Sequence, residues 1–387
     1  VGDRFAFISE ALKKQATMGR HRSLSQLGNS DGVYVTKGTD RFINLSSNDY
    51  LGLSQHPDLI SESNKWTLKY GTGSGSSRLV TGSREYHSLL EQRLGSWLSR
   101  ESVLSFNSGY QLNSTLLPSL ADRETVFYFD RLNHNSLVQG ALGSKATLKR
   151  YRHLDYDHLT DLLDADAQIS RKIIVTESLF SMDGDIADLR ILSSIAETHN
   201  AILIVDDAHA VGVMGEQGKG LTYGYDRIDI VIGTFGKAIG SFGAFAASSS
   251  VIHDYLINFC GGFIYTTALP PGIMGATYVG VGLVMGMDIQ RNYLQQMGDW
   301  FRAELQAVGL STLGSTSHII PILIGNELDT LRIAERLRNN GYWVSAIRPP
   351  TVQPGTSRIR ITLNTLLRQE HLSECVEIIQ KGVSSKT

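Results

Sequence analysis

Three short segments hold the residues whose types and spacing could do chemistry. In Ala201-Ile-Leu-Ile-Val-Asp-Asp-Ala-His-Ala210 a fully apolar strand runs into two carboxylates and then a histidine. Ligands of open α/β sheets sit at the carboxyl ends of strands, and a carboxylate there needs a partner because an unpaired buried charge is costly. A protonated heterocyclic nitrogen would satisfy Asp206, and such a pyridinium is an electron sink that stabilises a carbanion on a substrate. His209 could then donate to a phenolic oxygen on the same ring. Taken alone, the pattern also fits a structural, hydrogen-bonded Asp206, or a metal pair with His134.

The second segment, Gly233-Thr-Phe-Gly-Lys-Ala-Ile-Gly240, again follows an apolar strand and sets Lys237 among small residues. Schiff-base chemistry needs an amine that is neutral part of the time, which desolvation beside a cationic group supplies. The alternative is an exposed loop lysine. A phosphate-loop reading fails, because the spacing to an earlier glycine is wrong and Ala238 replaces the metal-binding hydroxyl. Third, the strand ending at Phe106 runs into Asn107-Ser-Gly-Tyr-Gln111 and a helical pattern, and amides at a helix start hold a phosphate well. Thr234 could add a hydroxyl. The run Gly71-Thr-Gly-Ser-Gly-Ser-Ser-Arg78 resembles a dinucleotide loop only superficially, since it follows a helical segment.

Positioning these groups requires a sheet. From about residue 102 to 247, β-branched or aromatic runs alternate with helical patterns: 103–106, 126–129, 173–176, 202–205, 230–232 and 244–247. That alternation predicts an α/β fold with a mainly parallel sheet flanked by helices. Helical faces fall at Tyr86, Leu89, Leu90, Leu94, Trp97 and Leu98, and at Leu189, Leu192, Ile195 and Ala196. Past Asp288 the texture changes to a polar helix, strand-like 319–324, a helix around 331–337 and strand-like 342–347 and 358–363, predicting a smaller C-terminal α+β domain. The expected division is 1–45 (N-terminal helix and short strands), 46–287 (large domain) and 288–387 (small domain).

Composition narrows the function classes. The 387 residues are 42% hydrophobic and 19% charged, with net charge -2, which predicts neither nucleic-acid nor anionic-membrane binding. The basic run 149–153 reads as a solvated strand end. Two distant cysteines, Cys260 and Cys375, form no disulfide framework or zinc motif and suit a reducing cytoplasm. The stretch from Asp3 to Arg22 lacks the apolar block of a signal peptide, and the apolar run 272–287 falls short of the ~18 residues a membrane span needs. No metal is expected.

Taken together the segments resemble the α-oxoamine synthases, enzymes of the aspartate-aminotransferase-like fold that condense an amino acid with an acyl thioester and release carbon dioxide. The shared motifs span nearly the whole chain: Ser47-Asn-Asp-Tyr-Leu-Gly-Leu53, Gly73-Ser-Gly-Ser-Ser-Arg-Leu-Val-Thr-Gly82, Phe180-Ser-Met-Asp-Gly184, Val205-Asp-Asp-Ala-His209, Gly233-Thr-Phe-Gly-Lys237 and Arg348-Pro-Pro-Thr351. The resemblance implies pyridoxal 5'-phosphate as cofactor, bound through Lys237. It implies His134 stacked on the ring, and Ser181, Asp206 and His209 at its polar edge. It places the phosphate against Gly109, Tyr110, Thr234 and, from the neighbouring subunit of a homodimer with shared sites, Thr266.

Arg20, Asn48 and Arg360 become expected substrate contacts, with Arg360 suited to the amino-acid carboxylate because arginine presents a planar fork. The segment 76–82, followed by His87 and Glu91, points within the family to the branch that joins L-alanine to a pimeloyl thioester of coenzyme A or acyl carrier protein, in biotin biosynthesis. Ser76 and the stretch Ser83-Arg-Glu-Tyr86 depart from the usual pattern and bear on the acyl substrate. Other branches take glycine with acetyl or succinyl thioesters, or serine with a long acyl chain.

Overall fold

The computed structural model describes residues 4–384 and divides into two compact units, one holding 48–181 and 186–292, the other the residues up to Ser47, Met182–Asp185 and the chain from Tyr293 onward.

The larger unit is built on a seven-stranded sheet. In chain order its strands are β1 (Ser102–Phe106), β2 (Thr125–Asp130), β3 (Thr147–Tyr151), β4 (Arg171–Glu177), β5 (Ile202–Asp206), β6 (Ile230–Thr234) and β7 (Ala244–Ser248). Their spatial order is β1-β7-β6-β5-β4-β2-β3. Only β7 runs against its neighbours, pairing antiparallel with β1 and β6, while the other pairs are parallel.

Both faces of the sheet are covered, which is why its strands read as continuous apolar runs. One alternation, Leu104, Phe106, Phe127, Phe129, Ile173, Val175, Ile204, Ile230 and Ile232, packs on Leu112, Leu116 and Leu117 of the helix Gly109–Ser119 and on Leu137 and Ala141 of the helix Asn135–Leu142. The other, including Tyr128, Ile174, Leu203, Val205 and Phe245, is equally buried. Continuing the first alternation to the strand ends puts Glu177, Asp206 and Thr234 on the face covered by the helix Gly109–Ser119.

β3 closes one edge. Only Tyr151 of its five residues is buried, and the basic run 149–153 overlaps it. The apolar run near 272–287 forms the helix Pro271–Met285, about half of it buried. No single described helix is long and apolar enough to cross a membrane.

In the smaller unit, Ser357–Thr362 is the central strand of an antiparallel sheet between Ile319–Gly325 and Ser345–Ile347. A second small sheet joins Tyr34–Lys37, Asp40–Asn44 and Tyr342–Trp343. The stretch 342–347, expected as one strand, is thus two: the chain changes sheets at Val344, so its two ends pair with different partners. Met182–Asp185 belongs here because Gly184 accepts from Ser317 Oγ at 2.9 Å and from Thr316 N at 3.1 Å. Gly184 has φ +70°, and a Cβ there would meet the Ile319 carbonyl oxygen at 2.0 Å, so only glycine fits.

Candidate active site

Asp206 ends β5, 8% exposed. Its Oδ2 accepts from Asn113 Nδ2 at 2.8 Å and its Oδ1 from the Ala208 N–H at 3.1 Å. An ionised carboxylate has about four acceptor positions, so capacity remains for a further donor. The neighbouring Asp207 points elsewhere. Fully buried, it accepts from Ser178 Oγ, from Thr222 Oγ1 at 2.9 Å and from the Leu221 and Thr222 N–H groups, and burial lifts its carboxyl to about 6. Asp207 therefore organises the turn after β5, whereas Asp206 faces the helix Gly109–Ser119.

His209 is buried and its Nδ1 lies 2.6 Å from the Tyr50 hydroxyl, which also reaches Asn48 Oδ1 at 3.3 Å. Asn48 and His209, far apart in sequence, are thereby joined through Tyr50. Ser181 is buried in the segment after β4.

His134 is the N-cap of the helix Asn135–Leu142. Its Nδ1 lies 2.7 Å from Ser136 Oγ, which accepts from Asn113 Nδ2 at 2.9 Å, and its backbone N–H donates to Glu177 Oε1 at 2.6 Å. Burial pulls the imidazole below its usual range; Asp206 opposes that and Lys237 reinforces it. Glu177, in register with Asp206 on the adjacent strand, is raised well above the carboxylate range by burial and then by the Asp206 charge, against Lys237 and the His134 hydrogen bond. Asp206, Glu177, His134 and Lys237 thus share one electrostatic neighbourhood.

Lys237 lies half-buried in the loop between β6 and β7. The loop closes through the Gly240 N–H on the Lys237 carbonyl at 3.0 Å, and Gly240, at φ +70°, leaves no room for a Cβ against Leu53 at 2.6 Å. Thr234 Oγ1 donates to the Gly243 carbonyl at 2.9 Å and accepts from the Gly236 N–H at 3.2 Å.

The helix Gly109–Ser119 opens on Ser108, whose hydroxyl caps the Gln111 N–H at 3.2 Å. A Cβ at Gly109 would meet nothing within 4 Å, and Tyr110 is 55% exposed, so the helix start faces open space. Thr266 Oγ1 accepts from Asn107 Nδ2 at 2.9 Å in the same chain, beside that opening. A buried acidic strand end, a lysine loop and an open helix N-terminus on one sheet end suit a cationic ring that carries a phosphate.

The other two expected substrate residues lie in the smaller unit. Arg360 is buried on the central strand Ser357–Thr362. Arg20 pairs with Glu327 at 2.9 Å. Among the described residues no cluster suited to a metal ion occurs.

Asn113, Ser136, Glu177 and Tyr50 were not picked out from the sequence as site residues. Glu177 carries the signal that Asp206 does, an apolar strand ending on a carboxylate. Asn113 is a lone amide in the apolar stripe of its helix, beside Leu112, Leu116 and Leu117.

The architecture is that of the aspartate-aminotransferase-like fold. A serine palmitoyltransferase from Sphingomonas wittichii superposes with TM-score 0.91, covering 99% of each chain at 24% identity, and another serine palmitoyltransferase of the same TM-score has pyridoxal phosphate bound. The 8-amino-7-oxononanoate synthase of Francisella tularensis superposes with TM-score 0.79 over 89% of this chain and 98% of its own, at 29% identity. In sequence, the 8-amino-7-oxononanoate synthase of Geobacter metallireducens is 40% identical over 377 residues, 96% of each chain. A family model for aminotransferase class I and II matches residues 40–379. The chain belongs to that family of pyridoxal phosphate-dependent enzymes.

Proposed function

We propose that the chain catalyses the decarboxylative condensation of L-alanine with a pimeloyl thioester, giving 8-amino-7-oxononanoate, carbon dioxide and the free thiol of coenzyme A or acyl carrier protein. The 40% identity to an 8-amino-7-oxononanoate synthase over 96% of each chain supports the substrate pair, and the setting of Asp206 carries the chemistry. The proposal includes a homodimer with shared sites and a cytoplasmic setting for biotin synthesis.

When bound, pyridoxal phosphate supplies an electron sink conjugated to the α-carbon of the amino acid, which lets a proton, and later a carboxylate, leave that carbon. In this assignment Asp206 keeps the ring nitrogen protonated, His209 and Ser181 hold the polar edge, and His134 covers the ring. The open N–H groups at Gly109 and Tyr110, with Thr234 and the Thr266 of the neighbouring subunit, take the phosphate. Lys237 would anchor the cofactor, and its amine would serve as the base for the α-proton of alanine. His134 donates toward the thioester carbonyl as carbon attacks it. Arg360 takes the amino-acid carboxylate, with Asn48 and Arg20 as further substrate contacts.

The deciding experiment is a visible spectrum of the cofactor-loaded protein before and after L-alanine, glycine and L-serine, followed by thiol release from pimeloyl-, acetyl-, succinyl- and palmitoyl-coenzyme A. The strongest spectral response to alanine, with thiol release from the pimeloyl thioester, is expected. A response to glycine or serine alone would move the chain to another branch of the α-oxoamine synthases.

A further inference from the structure

A line of hydrogen bonds connects Asp206 to His134. Asn113 Nδ2 donates both to Asp206 Oδ2 at 2.8 Å and to Ser136 Oγ at 2.9 Å, and Ser136 Oγ lies 2.7 Å from His134 Nδ1. The Ser136 backbone N–H also reaches Nδ1, at 3.2 Å. A backbone N–H only donates, so Nδ1 is an acceptor and carries no proton. Ser136 Oγ accepts from Asn113, so its one hydrogen is directed to the same Nδ1. That leaves the imidazole proton on Nε2, across the ring from the relay.

The orientation of Asn113 agrees with this. Turned over, its carbonyl oxygen would confront the Asp206 carboxylate, acceptor against acceptor. In the orientation found, Asn113 Oδ1 is buried with no hydrogen-bond partner. An orphaned buried acceptor is costly, so it marks a site where donating to two oxygens at once outweighs satisfying the amide. The start of the helix Asn135–Leu142 adds a positive field at His134 that disfavours an imidazolium.

We propose that Asn113 and Ser136 are positioning residues that hold His134 as the neutral tautomer with its proton on Nε2, and that tie this state to the charge on Asp206. The inference rests on the proposed function only for what Nε2 donates to. The charged or titratable groups facing His134 are Asp206 at the end of β5, Glu177 at the end of β4 and Lys237 in the loop after β6. Burial and Lys237 keep the ring neutral and Asp206 works against them, so removing a donor from Nδ1 makes protonation easier.

The test is nitrogen NMR of the cofactor-loaded protein with labelled histidine, with the His134 signals assigned by His134→Gln and followed over about pH 5 to 8. In the native protein Nδ1 is expected bare and Nε2 protonated at neutral pH. Ser136→Ala and Asn113→Leu should move the His134 midpoint up by about half to one pH unit, as expected for one lost hydrogen bond. Ser136→Thr, which keeps the hydroxyl, should restore it, and Ser136→Ala should lower kcat about tenfold with KM for the amino acid unchanged. A proton on Nδ1 in the native protein, or His134 signals unmoved in Ser136→Ala, would overturn the proposal. Should Asn113→Leu fail to fold, the Ser136 pair carries the test. A wrong substrate assignment would leave the NMR signature in place and remove only the kinetic effect.

Discussion

Glu177 is 2% exposed and in register with Asp206 one strand away. Burial first, then the Asp206 charge, raises its carboxyl well above the ordinary 4.5, against Lys237 and the His134 N–H. Above pH 4.5 the unfolded chain has released this proton while the folded chain still holds it. Unfolding then releases a proton, so the stability this group contributes is complete below 4.5 and falls as pH rises, by about 1.4 kcal/mol per pH unit, until the folded carboxyl ionises. Glu177→Gln keeps the shape and an acceptor for the His134 N–H but cannot ionise. The variant should gain on the native protein at that slope above pH 4.5. Urea unfolding of both proteins, equally loaded with cofactor, at about pH 5, 6 and 7 measures the difference. A difference that stays constant would mean that Glu177 is already ionised in the fold, and the argument from burial would be wrong. Glu177→Ala should be less stable than Glu177→Gln by about 1–3 kcal/mol at every pH, since it strands the His134 N–H.

Lys237→Ala is expected to abolish the absorption band of the lysine-bound cofactor together with turnover, and normal multiple turnover in that variant would refute the role given to this lysine. Arg78 and Glu91 form a two-pronged pair at 2.8 and 3.1 Å, and Glu91 also accepts from Ser105 N and Oγ. Glu91→Ala should therefore destabilise the larger unit by about 3–5 kcal/mol in denaturant unfolding, because it leaves a guanidinium largely buried without its partner. His87 is fully buried, and burial followed by the charge of Arg78 lowers its imidazole from 6.5 to about 4. Its contribution is complete above pH 6.5 and is lost as pH falls toward 4, up to about 3 kcal/mol. His87→Phe should unfold with a shallower dependence on pH over that window, measured by denaturant titration.

The strands of the large sheet were legible because both faces are buried, so each is a short apolar run bounded by helical patterns. β3 was legible only as the solvated strand end at 149–153, since an edge strand with one buried residue carries little hydrophobic signal. The split of 342–347 was hidden as well: pairing partners lie far away in sequence, and nothing local marks the point where the chain leaves one sheet for another. Glu177 shows the same limit at the site. Its carboxylate was visible at a strand end, but its weight comes from standing beside Asp206, and register is a relation between two strands.

What the sequence determined by itself is the chemistry on offer. An acid and a histidine follow one apolar strand, a lysine among glycines follows another, and a helix start follows a third; the residue types at those places depend on local pattern alone. The tertiary structure supplied the physical reason why Asp206, already singled out, differs from Asp207, adjacent and chemically identical. Alternation along β5 sends one toward the helix Gly109–Ser119 and the other into the turn near Thr222. It likewise joined Asn113 and Ser136, on two different helices, into one relay to His134. Such pairings exist only after burial brings distant segments within hydrogen-bond reach, and no periodicity in the chain encodes which donors will then meet which acceptors.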